Sequence, residues 1–181
     1  MPPGLRKGVL ITHVVTSVGW LGAVAAYIGL DVLAMPAAND ERVRAAYLSM
    51  EVIALFVIVP LALASVLIGI VNSLGTPWGL LRHYWVLAKL PLTLFAAIIL
   101  LLETSTISHL ADMAASGADP RELPGTLPHS VGGLVVLVVT TILSVVKPRG
   151  VTRYGWRKQQ QQRRRQHEQP TPPPGPEAAV T

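Results

Sequence analysis

The thirty residues from Val52 to Leu81 carry no formal charge. Few folds accept such a stretch. A bilayer's hydrocarbon core is about 30 Å thick, and a helix needs about 20 apolar residues to cross it with every backbone N–H and C=O satisfied internally. Three more stretches meet the condition less cleanly. Gly8–Leu30 is 23 residues long without a charge, Leu90–Leu102 is 13, and Val131–Val146 is strongly apolar. Composition agrees with a bilayer solvent: 14% of the residues are charged, against about 25% in soluble domains. There is no cysteine, which excludes disulfide frameworks, thiolate metal sites, Cys nucleophiles and iron–sulfur clusters.

The spans predicted from these runs are 8–33, 47–74, 84–107 and 128–146. The fold class expected is all-α, a four-transmembrane-helix bundle in residues 1–147 followed by a disordered, basic, Gln/Pro-rich tail in residues 148–181. Arg6 and Lys7 ahead of the first run could serve a secretory signal. Signal h-regions run about 7–15 residues, however, and the first run is longer, so it is read as a retained helix. Pro60 lies inside the second span, where it removes a backbone donor and frees the carbonyl of Phe56, so a kink is expected there. The third span is flanked by Lys89 and Glu103, which must snorkel or face protein. No apolar periodicity persists after about Gln159, and disorder is expected from there.

Basic residues set the orientation. From Lys147 onward there are eight basic residues against two acidic ones, while the loops after the first and third spans hold as many acids as bases or more. The positive-inside rule and the even number of spans place both termini in the cytoplasm of a plasma-membrane protein. Trp78, Tyr84, Trp85, Tyr154 and Trp156 then fall at the inner interface. The cluster Lys147, Arg149, Arg153, Trp156, Arg157, Lys158, Arg163, Arg164 and Arg165 is expected to contact anionic lipid of the inner leaflet. Nucleic acid is not an expected partner, because the run has little aromatic interleaving. A homo-oligomer is left open.

Helical spacing gathers His13, Thr16, Ser17, Trp20, Val24, Tyr27 and Asp31 on one face of the first span. The matching stripe of the second reads Glu51, Leu55, Ile58, Ala62, Ser65, Gly69 and Asn72, and that of the fourth His129, Gly133, Val136, Thr140 and Ser144. Ser, Thr and Gly on such stripes are ordinary packing glue. Ionisable groups inside a membrane are expensive and point to function by default. Asp31, Glu51, Glu103 and His129, from all four helices at one depth, form a candidate metal or proton site, with His13 and His109 as lesser members. Nitrogen and oxygen ligands of this kind suit a divalent metal; against this, most of the set could simply solvate helix ends. A haem held by His13 and His129 is disfavoured, since the two lie near opposite ends of their helices. No HExxH, Walker A, GxGxxG, Ser-nucleophile or zinc-finger spacing occurs, so the chain is read as leaning away from enzymes. The absence of internal repeats counts against inverted-repeat transporters.

Gly19-Trp20-Leu21-Gly22-Ala23-Val24, the block from Phe56 to Leu90 and the segment from Lys147 to Gln159 resemble a family of small four-helix integral membrane proteins from actinobacteria. The resemblance covers residues 5–159 and implies a four-helix membrane protein without implying an activity. Relatives there carry His where this chain has Glu103, a departure that speaks against a shared bis-His haem or metal role. His13, Ser17, Gly19 and Trp20 form a short pattern that is also similar to copper-resistance D-type and haem-containing four-helix membrane proteins. Three roles are weighed, in this order: a non-catalytic membrane protein whose tail contacts lipid or a partner, a metal- or haem-binding redox or metal-handling protein, and a small transporter.

Overall fold

A computed structural model describes residues 2–37, 39–75, 84–146, 150 and 152–168. All regular structure among them is helical. Helix α1 is Pro3–Ala34, α2 is Asp40–Gly75, α3 is Tyr84–Ser116, α4 is Leu127–Val146 and α5 is Arg153–Glu168. The first four are long and apolar enough to cross a membrane. Trp78, Arg82, His83, Lys147 and Arg149 lie outside the described residues.

The four long helices form a closed ring. α1 packs on α2 and α4, and α3 packs on the same two, while the backbones of the diagonal pairs stay farther apart. Trp20, Val24, Tyr27 and Asp31 of α1 are buried, the face that the polar and aromatic spacing marks out. They meet Ile58 and Ala62 of α2, Ala96 and Ile107 of α3 and Leu137 of α4 in one core. Leu67, Phe95, Ile98, Leu102 and Ile142 point outward, as side chains facing lipid should.

Two helices outrun their predicted spans. α2 has 36 residues and α3 has 33, so at 1.5 Å per residue they are roughly 54 and 50 Å long, well beyond the hydrocarbon. The N-terminal end of α2 has a mixed composition with an apolar stripe, Val43, Ala46, Tyr47 and Met50, buried against Ile107, Leu110 and Ala114 of α3. Asn39 caps it by accepting the Glu41 N–H at 2.8 Å, and Asp40 and Glu41 stand at the positive end of the helix dipole. Hydropathy marks where the chain can enter lipid, and capping plus an amphipathic face carries the helix further.

Pro60 produces a π-helical turn over Ala54–Ile58 rather than a simple kink. Proline cannot donate to the carbonyl of Phe56. The N–H of Val59 reaches back to the carbonyl of Ala54, five residues away, so this turn holds one residue too many. Everything N-terminal to it rotates by roughly one residue's 100°. Met50 and Ala54 therefore become buried instead of Glu51 and Leu55, which the uninterrupted stripe had placed inside.

The boundary expected at Gln159 also moves. Helix α5 continues to Glu168, because Gln and Arg are good helix formers and neither Gly nor Pro interrupts 156–168. Among the described residues its backbone runs apart from those of the four long helices, with Gly155 near its start buried.

Candidate functional site

Three polar constellations sit inside the bundle. At the end of the bundle where α1 leads into α2, Asp31 is 2% exposed and Tyr27 is 3% exposed. Thr126, at the N-cap of α4, connects them. Its Oγ1 donates to Asp31 Oδ2 at 3.3 Å and lies 2.7 Å from the Tyr27 hydroxyl. With the threonine proton committed to the carboxylate, Tyr27 is the donor in the second bond. A chain Tyr27 to Thr126 to Asp31 thus satisfies a carboxylate that would otherwise be costly to bury. The sequence reading placed Tyr27 and Asp31 on one face but missed Thr126. Its signal was available: a threonine directly before Leu127-Pro128 is a helix-start signature.

The second constellation is a pair. His129 Nδ1 approaches Glu103 Oε1 at 3.4 Å, with the imidazole about half exposed. The four-residue set does not assemble beyond this. Asp31 is engaged by Thr126, and Glu51, turned off the interior face by the π turn, enters no hydrogen bond or ion pair with the described residues. His109 is exposed and likewise unpaired. Among the described residues, no group of three or more His, Asp or Glu side chains is placed to hold a metal ion.

The opposite half of the bundle holds the third. Ser17 and Ser65 share a hydrogen bond of 2.7 Å across α1 and α2. One turn away the His13 ring lies against the backbone of Gly69, where an added Cβ would stand 2.9 Å from Cε1. Nδ1 of His13 is enclosed without a hydrogen-bond partner. Lys89 faces protein, donating to Ser144 of α4 at 2.6 Å. His13 and His129 are thus held at opposite ends of the bundle, His13 on α2 and His129 on Glu103, and the haem pairing is not supported by this geometry.

Outside the spans, Arg121 clasps two loops. Its Nε and Nη2 grip Asp119 at 2.7 to 3.0 Å, while Nη1 donates to the Ala37 carbonyl at 2.7 Å. The guanidinium holds the Asp119 carboxyl below the usual carboxylate range. In the sequence Arg121 had counted only as a loop charge.

Between the constellations of the two halves lies a cavity of about 320 Å³ lined by all four long helices. Its wall is almost wholly apolar, with Glu103, Thr126, His129 and Ser130 at one end. No family model, curated protein or solved structure matches this chain. Function has to be read from the molecule itself.

Proposed function

We propose that this chain is a multi-pass plasma-membrane protein with both termini cytoplasmic, whose C-terminal helix α5 holds anionic lipid of the inner leaflet. The observation that carries the reading is the surface of α5. Two exposed rings, Tyr154 and Trp156, stand beside exposed Arg153, Arg157 and Lys158, at the end of the helix joined to α4. Lys158 Nζ stands 5.7 Å from the centroid of the Tyr154 ring, so cation and ring share one face. Arg153, Trp156, Arg157 and Gln160 line another. Aromatic rings rest at the head-group level, and each basic residue near an anionic surface contributes about 1 kcal/mol. Arg163 and Arg164 are exposed further along.

The test uses the whole protein in nanodiscs, with Gln160→Cys carrying an environment-sensitive dye. Phosphatidylglycerol should shift the dye emission to the blue relative to phosphatidylcholine. The shift should shrink at 0.5 M salt and on replacing Arg153, Arg157, Arg163 and Arg164 by Gln. Equal emission in both lipids would reduce the basic residues to keeping the C-terminus inside.

A further inference from the structure

We propose that the cavity within the bundle is a binding site for a neutral, lipid-soluble molecule bearing a carbonyl-type hydrogen-bond acceptor, the chemistry of a quinone ring. This goes beyond the lipid contact of α5 and stands independently of it.

Size comes first. About 320 Å³ is the space of roughly ten waters at about 30 Å³ each, room for on the order of ten to fifteen heavy atoms, within the range of small-ligand pockets. An apolar wall offers water too few partners to be held there. Charge comes next. Among the described residues, and apart from the Tyr27 phenol, the ionisable groups on the lining are Glu103 and His129, and they face each other at 3.4 Å. Both groups sit at one end of the lining, so an ionic ligand would find no counter-ion deeper in the cavity.

The acceptor requirement comes from Trp20. This residue lines the cavity and is 2% exposed, yet its indole N–H makes no hydrogen bond with the described residues. Buried Trp N–H groups find partners, and one left unmade is costly. Among the described residues the nitrogen is not one of the fully enclosed unpaired polar atoms, so it keeps some accessible surface on a side chain that lines the cavity. A carbonyl oxygen of a cavity ligand supplies the missing acceptor. Trp20, Tyr27 and Phe95 on the lining give flat faces against which a ring can pack.

Access and room come from α3 and α4. Phe95 and Gly132 are on the lining and are also exposed, so the cavity opens between these two helices toward lipid. Gly133 completes the wall, and a Cβ added there would meet nothing within 4 Å. The missing side chain is part of the space.

The experiment is a titration of the purified protein in phosphatidylcholine nanodiscs with 2-methyl-1,4-naphthoquinone and with 2-methylnaphthalene, which lacks the two carbonyls, followed by equilibrium dialysis. Wild type should bind the quinone saturably, one per chain, and the hydrocarbon at least five-fold more weakly. Trp20→Phe should keep the hydrocarbon affinity and erase that preference. Gly133→Leu, judged folded by circular dichroism and thermal melting, should lose both ligands. Non-saturable partitioning in wild type, equal affinity for the two probes, or unchanged binding in Gly133→Leu would each overturn the proposal.

Discussion

Thr126 joins two buried polar side chains with a single hydroxyl, so its removal leaves both Tyr27 and Asp31 short of a partner. Thr126→Val, nearly isosteric, should destabilise the bundle by about 1–3 kcal/mol. Thr126→Ser should restore most of that, read from thermal unfolding in detergent. The Arg121 clasp responds to pH. Asp119 titrates below its ordinary range in the folded protein, so its stabilisation is present above the ordinary carboxylate value and disappears as pH falls through the depressed one. The protection factor of the Leu123 amide, bonded to Pro120 within this loop, should therefore fall on acidification once the rate is corrected for intrinsic exchange, which itself slows in acid. Asp119→Asn should show low protection with no acid step. Neither interaction could be read from spacing, because Thr126 lies 95 residues from Asp31 and Arg121 lies 84 from Ala37.

At the scale of the helix, the π turn decides which residues α2 turns inward. Met50 is 1% exposed, so Met50→Gln should cost about 2–4 kcal/mol through lost packing and an unsatisfied amide. Glu51→Gln should fall within about 0.5 kcal/mol of wild type. If the two effects were equal, or reversed, the rotation would be wrong. Pro60 itself was legible, and so was a local break in the hydrogen-bond ladder. Whether that ladder bends or takes in an extra residue depends on which register packs Ile58 and Ala54 against α1 and α3, and this is a tertiary choice. Farther along α2, the close approach to α1 depends on Gly69. Gly69→Ala forces the His13 ring to move and should cost about 1–3 kcal/mol. The same substitution should be nearly neutral in a His13→Ala background, a coupling that a double-mutant cycle measures.

For the whole molecule, orientation follows from where the basic residues lie. The chain has no native cysteine, so a single introduced one reports cleanly. Ala115→Cys, at the exposed end of α3, should react with an impermeant maleimide on intact cells. Gln160→Cys on α5 should react only after permeabilisation. The reverse pattern would invert the topology and move α5 to the outer face.

The number of long apolar helices and the face that α1 buries follow from composition and period alone, because bilayer thickness and the helical repeat are constants that any sequence must meet. Glu103 and His129 could be named from the sequence, since ionisable residues at one depth in lipid are rare enough to stand out. Their separation from Asp31 and Glu51 could not. One hydroxyl from a loop captures Asp31, and one extra residue in a π turn swings Glu51 aside. The cavity was equally invisible. It exists because the four helices leave space beside Trp20 where Gly133 presents no side chain, and an empty volume is a property of the packed bundle, with no residue of its own to mark it in the chain.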